Sequence, residues 1–347
     1  MFIAIHTLKS FNASALNRGE DGAPKSVTFG GTWRGRISSQ SLKRAYRRSE
    51  IFQDFAKTDL LSIRTRSLPA LIVEELDRLG WTGDKEEVLK TMSNIAKTEK
   101  KDEKELGKTN QLLFLPATAP KQMAKEIIEL YAKGKKDLEA NLTPANMRTV
   151  DVALWGAMST SRLFPNVEAA TQVAHAVGVN QNRKTIDYFV AVDDITNDAR
   201  MLGETLFNAN CYYHNLLVDV PQLTKNLGDN KALVRKVIAA LLQAVAFVSP
   251  RGKQNTMATH PLPDLLLVEL LDNTAYIDYA NAFATPVEAA TQSLPVAALT
   301  TLEAYITRTD TMYPRPVVRF SLADIPFLTQ TACASLPSLI QAVEARL

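Results

Sequence analysis

Cysteine and long apolar runs are scarce in this sequence, and each shortage excludes a class of protein. The two cysteines, Cys211 and Cys333, lack zinc-site spacing and are too few for a disulfide framework in a chain of 347 residues. No apolar stretch approaches the roughly 20 residues that a membrane-spanning helix needs. The first residues also lack the basic and apolar pattern of a signal peptide. We therefore expect a cytoplasmic protein with reduced thiols and no membrane partner.

Motifs for catalysis are missing as well. The sequence contains no phosphate-binding P-loop, no HExxH zinc motif and no GxSxG nucleophile elbow. Asp193 and Asp194 are adjacent, and neighbours on an extended chain point to opposite faces, which does not suit a shared metal ion. We interpret each of the four scattered histidines as structural: His6, His175, His214 and His260. These absences predict a protein without catalytic residues, metal or cofactor.

Positive charge, in contrast, is concentrated in one short segment. The chain has 40 lysines and arginines against 37 acidic residues, for a net charge of +3. Between Gly22 and Ser49 there are seven basic residues and no acidic residue. The seven are Lys25, Arg34, Arg36, Lys43, Arg44, Arg47 and Arg48. Because a localised group of cations suits a polyanion, this segment predicts a nucleic-acid site, with a solvated helix face as the alternative.

Most of these cations fall on a helix predicted from Ser38 to about Phe55. Ser38 or Ser39 can cap its start by accepting a backbone N–H bond. At about 100° per residue, apolar and basic side chains separate onto opposite faces. The apolar face comprises Leu42, Ala45, Tyr46 and Phe52. The basic face comprises Lys43, Arg44, Arg47 and Arg48. The pattern predicts that one face packs while the other remains available to a ligand.

Strand patterns at both ends of the chain enclose a mostly helical middle, from Leu60 to Ser161. The strand-like segments are Phe2–Leu8, Ala209–Val220 and Leu265–Leu271. Asn230–Val248 is patterned as a helix, and the polar segment Gly178–Gly203 encloses the apolar strip Tyr188–Val192. This strip in polar surroundings predicts a protruding hairpin. We infer an α+β sheet domain that is split by a helical insertion.

A polar loop, Pro250–Thr256, follows the predicted helix. It contains Arg251, Lys253 and Gln254, whose donors suit phosphate and sugar oxygens. Many surface loops have a similar composition, so this loop alone is a weak indication of nucleic-acid binding.

The segment Arg36–Ala45 closely resembles the signature of the CasC family, the multi-copy backbone subunits of type I-E CRISPR Cascade complexes. Further matches are spread from end to end: Phe2–His6, Leu16–Arg18, Phe29–Gly31, Ala174–Ala176, Ile186–Asp194, Lys253–Gln254 and Phe320–Leu322. The segment from Leu60 to Thr143 has little that can be matched. The order and length of the matches make a chance resemblance implausible.

The resemblance implies a hand-shaped α+β protein. It has an RRM-like (ferredoxin-like) palm, a helical fingers insertion and a thumb-like β-hairpin. The implied boundaries are 1–57 for the first part of the palm with the basic helix at 38–55, 58–170 for the fingers, 171–181 for the palm again, 182–206 for the thumb and 207–347 for the remaining palm.

The resemblance also implies a function without catalysis. Copies of such subunits form a helical backbone along the crRNA guide, and each thumb kinks the guide at a regular interval. The bases between kinks pair with target DNA, so specificity belongs to base pairing and the protein recognises backbone and shape. The implied partners are the crRNA guide, target DNA by way of the guide, other copies of the chain and other Cascade subunits. We therefore expect an antiviral defence protein that is not an enzyme.

By the same resemblance, the guide backbone should lie along a defined set of side chains. The first five are Lys25, Ser38, Gln40, Lys43 and Arg47. The wider RNA-binding set adds Arg34, Arg36, Arg44, Lys253 and Gln254. Lysine and arginine neutralise phosphates, while serine and glutamine donate to phosphate or 2′-hydroxyl oxygens.

Apolar positions are implied at the kinks. Met158 matches a position that wedges against the guide–target duplex, and Phe189 and Val190 match apolar thumb residues. Without the resemblance, Met158 would be interpreted as an ordinary core methionine. Ala157 stands where the family has an arginine, so no backbone contact is expected from that position.

Two other functions remain open from the sequence. Related backbone subunits of type III complexes cleave target RNA through a loop aspartate, and here Glu20 and Asp21 lie in a candidate loop. Metal-dependent cleavage that Asp21→Ala abolishes would identify such an enzyme. The second alternative is a monomeric RNA-binding module of the RRM class, although the sequence has no aromatic RNP-like segment.

Overall fold

The structure is a computed structural model that describes residues 1–95, 106–135, 137–196, 199–272, 276–328 and 332–347. The chain divides into two compact units. The first, here called the sheet unit, comprises Met1–Ile51, Thr171–Val220 and Arg235–Leu347. The second, here called the helical unit, comprises Phe52–Ala170 and Pro221–Val234. The palm, fingers and thumb boundaries stay predictions.

Strands and helices are numbered in chain order. The strands are β1 (Phe2–Ser14), β2 (Ser26–Phe29), β3 (Thr32–Ile37), β4 (Ser62–Thr65), β5 (Leu113–Pro116), β6 (Thr171–Val173), β7 (Ala176–Gly178), β8 (Thr185–Val192), β9 (Ala199–Asp219), β10 (Leu265–Leu271) and β11 (Val318–Ala323). The helices are α1 (Ser39–Arg47), α2 (Glu50–Ala56), α3 (Leu68–Arg78), α4 (Lys85–Ser93), α5 (Ala119–Ala132), α6 (Leu138–Asn141), α7 (Val150–Trp155), α8 (Val220–Asn226), α9 (Lys231–Phe247), α10 (Gln254–Met257), α11 (Leu294–Met312) and α12 (Leu336–Glu344). A 3₁₀ helix spans Tyr279–Phe283.

The sheet unit is built on an antiparallel sheet with the strand order β11-β10-β1-β9-β7-β3-β2, and β6 and β8 also pair with β9. Ile5 of β1 lies opposite Val268 on one side and Leu216 on the other. Leu267 of β10 belongs to a core cluster with Leu302 of α11, since an apolar strand has to be covered by another layer. The predicted α+β class is confirmed, and so is the strand Leu265–Leu271.

The helical unit has a core of its own. Leu68 and Ile72 of α3 are buried together with Met123 and Ile127 of α5, at the spacing of one helical face. Burying each such side chain contributes roughly 1.5–3 kcal/mol. Among the described residues, no helix is both long enough and apolar enough to cross a membrane.

The predicted single helix 38–55 is wrong, because the chain forms α1 and α2 with a break between them. The Ser49 hydroxyl donates to the Tyr46 carbonyl at 2.6 Å, and the Ser49 N–H bonds to the same carbonyl at 3.1 Å. A serine that bonds the backbone locally competes with helix propagation. The basic side chains therefore lie on the short first helix and its last turn.

The prediction that Arg34 binds RNA is also wrong, because this side chain is fully buried. Its Nε donates to the hydroxyl of Thr32 at 2.7 Å. Its two terminal nitrogens donate to four backbone carbonyls at 2.8–3.1 Å: Gly178, Val179, Phe283 and Ala284. All five guanidinium N–H donors are thus used inside the protein. Arg34 ties β3 to the end of β7 and to the 3₁₀ helix.

The turn before β3 is pressed against the same 3₁₀ segment. Gly30 has a positive φ of 58°, and a Cβ added there would overlap the carbonyl of Ala284. Only glycine fits this close approach. The β2–β3 hairpin is therefore held by a backbone contact at its tip and by a buried cation along β3.

Replacing Arg34 with lysine should destabilise the protein by about 3 kcal/mol, because a single ammonium cannot reach carbonyls on both sides and leaves buried acceptors unsatisfied. The matched control is Arg44→Lys, an exposed position where a change within about 0.5 kcal/mol is expected. Urea unfolding of both variants is the measurement. Equal stability of the two variants would show that the carbonyl cage does not need the guanidinium.

Candidate nucleic-acid interface

The start of α1 is set by the strand before it. Ser38 is extended, and its hydroxyl accepts a hydrogen bond from the Ser41 backbone N–H at 3.3 Å, so the predicted N-cap is confirmed. The Ser38 N–H in turn donates to the side-chain oxygen of Asn17 at 2.9 Å. The Ser38 hydroxyl still has its own proton, which can be donated to a ligand oxygen.

The first turns of α1 present the cations that the sequence predicted. Leu42 and Tyr46 are buried, while Lys43 is half-buried and Arg44 is exposed. Burial lowers the pKa of the Lys43 ammonium below its ordinary value. Within the described residues, Lys43 forms no salt bridge, so its desolvation is not offset by a carboxylate. An anion placed against Lys43 would offset that desolvation.

Arg47 is half-buried and Arg48 is exposed, while Gln40 is exposed at the beginning of α1. Arg47 follows Lys43 by four residues, and Arg48 follows Arg44 by four, so each pair shares a strip of the helix surface. Two adjacent cationic strips therefore run along α1.

A second group of positive charges lies at the N-terminus of α1. The Ser39 N–H donates to Nδ1 of His175 at 3.1 Å. Partial desolvation of the ring, followed by the charges of Arg36 and Lys25, lowers the pKa of His175. The buried Nε of Arg36 has no hydrogen-bond partner among the described residues. Since helix N-termini favour anions, this is a place where an anion would be bound.

His175 was not among the predicted site residues, because a single histidine is usually structural. The signal was present in Ala174–Ala176, which resembles the family at this position. What the sequence could not provide was its contact with Ser39, 136 positions earlier.

A cavity of about 450 Å³ joins α1 to the loop after α9. Its cationic lining comes from Arg44, Arg48 and Arg251, with His260 beside them, and Phe247 lines its apolar part. The sequence predicted the basic helix and the polar loop separately, and the structure brings them together. Arg48, Arg251 and His260 were outside the predicted RNA-binding set.

The loop itself is held by Gln254, and an RNA contact by this residue stays a prediction. The Gln254 side-chain nitrogen donates to the carbonyls of Thr259 at 2.8 Å and Pro250 at 3.4 Å, and its oxygen accepts the Thr259 N–H at 2.8 Å. The amide is therefore used within the loop. Lys253 is half-buried with a positive φ of 54°, at the start of α10.

The predicted apolar positions are exposed. Met158 of the helical unit has 78% of its surface accessible, which excludes an ordinary core methionine. Phe189 and Val190 lie on β8, whose residues are all exposed. Phe189 lies across from Gly203, and a Cβ added to Gly203 would overlap the Phe189 ring. Because a two-stranded hairpin has no core of its own, these side chains are free to meet a partner.

The loop aspartates serve as turn acceptors. Asp193 accepts the backbone N–H groups of Ile195 at 2.8 Å and Thr196 at 2.7 Å, and these bonds lower the pKa of its carboxyl. Asp21 accepts the N–H of Ala23 at 3.1 Å. Within the part of the chain that the structure describes, no group of three or more histidines, cysteines or carboxylates could hold a metal ion.

Comparison with known proteins gives matches over the whole chain. The family model described as CT1975-like protein matches residues 3–341. A chain of the solved structure "CRISPR RNA-guided surveillance complex, pre-nicking" is 28% identical with a TM-score of 0.85, and the alignment covers 100% of both chains. A chain of another "CRISPR RNA-guided surveillance complex" is 25% identical with a TM-score of 0.76, again over 100% of both chains. No curated protein sequence matches the chain.

If the surface of α1 binds phosphates, affinity for single-stranded RNA should fall steeply with salt and depend little on sequence. Replacing Lys43 and Arg47 with glutamate should weaken binding and flatten the slope of log K against log salt by about 1.4, since each phosphate contact contributes roughly 0.7. The double change Lys121→Glu and Lys125→Glu, on exposed positions of α5, alters the charge equally and should leave the slope unchanged. Equal slopes for the two double variants would rule out this face of α1.

Proposed function

Because the chain belongs to the family of CT1975-like proteins, we propose that it is a crRNA-binding backbone subunit of a type I-E CRISPR surveillance complex. The observation that carries the proposal is the cationic surface of α1, on a fold similar to chains of RNA-guided surveillance complexes. The type I-E assignment is supported by the signature segment Arg36–Ala45. A soluble assembly in the cytoplasm, acting in antiviral defence, completes the proposal.

In this function, the protein holds the guide by its backbone. Lys43 and Arg47 neutralise phosphates along one strip of α1, and Lys25 and Arg36 do so at its N-terminus. Gln40 and the Ser38 hydroxyl donate to phosphate or 2′-hydroxyl oxygens. None of these contacts involves the base edges, so any guide sequence is accepted and the bases remain available for pairing.

The exposed apolar residues separate the guide into short segments. Met158 and Phe189 are wedges that keep neighbouring bases apart, with Val190 beside Phe189 on the hairpin. Unstacking costs a few kcal/mol per step. If this cost is met during assembly, it no longer opposes the later capture of target DNA. The partners are thus the crRNA guide, target DNA through the guide, further copies of the chain and the other subunits of the complex.

We also propose that the subunit is not an enzyme. Asp21, the candidate for a type III-like cleavage mechanism, has its carboxylate bonded to the N–H of Ala23 in a tight turn. The supporting argument is chemical, since no nucleophile with an adjacent general base is apparent at the interface of α1.

Purified protein, in complex with its RNA, should therefore leave complementary RNA and DNA intact with or without Mg²⁺. The Asp21→Ala variant should also leave both strands intact, because the Asp21 carboxylate bonds a backbone N–H in a turn and is not expected to take part in catalysis. The measurement is a gel assay with radiolabelled strands after rigorous nuclease controls. Cleavage that needs the metal and disappears in Asp21→Ala would instead favour the type III-like alternative.

Replacing both Met158 and Phe189 with alanine should separate guide binding from target pairing. Guide RNA should stay bound, because the phosphate contacts remain, while affinity for complementary DNA should fall, since every copy repeats the defect. Both quantities are measured on the same purified complex. The control is Ile195→Ala, an exposed apolar residue at the hairpin tip, which should change neither quantity.

Normal target binding by the Met158 and Phe189 double variant would contradict the wedge assignment. Loss of guide RNA would show that these residues serve assembly instead, and that guide binding does not rest on charge alone.

A further inference from the structure

One edge of the main sheet carries a large exposed aromatic residue. Trp33 lies on β3, next to the edge strand β2, and 60% of its surface is accessible. Its neighbour Arg34 points into the core, as expected from the alternation of side chains along a strand. An exposed indole is a large apolar surface with one polar N–H, and tryptophan is enriched at protein interfaces.

The opposite edge of the same sheet carries a cavity of about 660 Å³. It lies between the end of α11 and the chain that leads into β11, the other edge strand. Aromatic, cationic and apolar side chains share its lining, among them Tyr276, Tyr305, Arg308, Met312, Tyr313 and Arg315. Met312 and Tyr313 are 58% and 64% exposed, so the cavity opens at an apolar rim.

The chemistry of this cavity suits an indole. The Arg308 guanidinium lies 5.1 Å from the centre of the Tyr305 ring, so an aromatic face and a cation are presented together. Arg315 is fixed at the cavity by its bond to Glu269 of β10 at 3.1 Å. Guanidinium groups are attracted to the face of tryptophan more strongly than to that of other aromatic residues, and tyrosine rings pack against it edge-on or offset.

One copy cannot fill its own cavity. Trp33 lies on β3, and five strand spacings, or about 24 Å, separate β3 from the edge strand β11. We propose that Trp33 of one copy inserts into the Tyr305–Arg308 cavity of a second copy. A protrusion and a cavity at opposite edges make a head-to-tail contact, which repeats from copy to copy instead of closing as a dimer.

This contact rests on the proposed function for its setting, because copies have to lie in series along the guide. The inference adds the residues that join neighbouring copies. It places the contact between copies at the edges of the sheet, and RNA binding on α1.

Disulfide trapping tests the contact directly. Trp33→Cys and Met312→Cys are combined in a Cys333→Ser background, where the remaining Cys211 is buried. The complex purified with its RNA is oxidised and run on a denaturing, non-reducing gel. We expect a ladder of dimers, trimers and higher products, and no product from either single cysteine. Monomers only, in a complex that holds several copies, would overturn the inference, and so would a product that stops at the dimer.

Binding measurements distinguish this failure from failure of the proposed function. Trp33→Ala should weaken association between copies by about thirty-fold, as for a central aromatic residue of an interface. Leu262→Ala, a comparably exposed apolar residue at 64%, should not. Binding of one copy to a short RNA should be unaffected by either change. If Trp33→Ala loses the short RNA, Trp33 stacks on a base and the inference is wrong. If the wild-type chain binds no RNA, the proposed function is wrong, whatever the effect of Trp33→Ala on association between copies.

Discussion

The buried Arg34 guanidinium is the contact on which the candidate interface depends. It joins β3 to the end of β7 and to the 3₁₀ helix through four backbone carbonyls. The Arg34 cation is surrounded by backbone carbonyls, so its hydrogen bonds are satisfied only while each carbonyl keeps its place. The guanidinium in turn holds those carbonyls in position. It fixes the position of β3, and β3 ends one residue before Ser38 caps α1. The direction in which Lys43 and Arg47 project therefore follows from a residue that no ligand touches.

One short stretch of sequence thus carries one structural role and two proposed roles, which depend on the direction of each side chain. Along β3, Trp33 is exposed, Arg34 is buried and Arg36 is half-buried. The cations that remain outside continue along α1 and meet Arg251 across a cavity. The buried cation, the proposed polyanion surface and the proposed contact between copies therefore fall within about fifteen positions, through the two-residue period of a strand followed by the helical period.

Patterns with a local cause could be predicted from the sequence. The strand Leu265–Leu271 was predicted at its observed bounds, because an apolar run of 7 residues has the length of a buried strand and is too short for a typical helix. The N-cap of α1 was also predicted, because Ser38 bonds a backbone N–H only three residues along the chain. Arg34 was misassigned, because a count of charges cannot tell a cation that binds carbonyls from one that meets solvent. The structural role of Gln254 was not predicted, because its partner Thr259 becomes apparent only when the loop closes. The cavity that joins α1 to Arg251 depends on tertiary packing, which no local pattern contains.

The most direct test of the central claim is whether RNA co-purifies with the chain from its own host, and which RNA it is. The protein is purified from those cells, the bound RNA is sequenced, and the 2′-hydroxyl reactivity of each bound nucleotide is measured. Backbone recognition by repeated copies predicts many unrelated sequences, all with protection that recurs at one regular spacing. A single RNA sequence, or protection confined to one site, would show that the protein recognises bases and does not act as a repeating backbone.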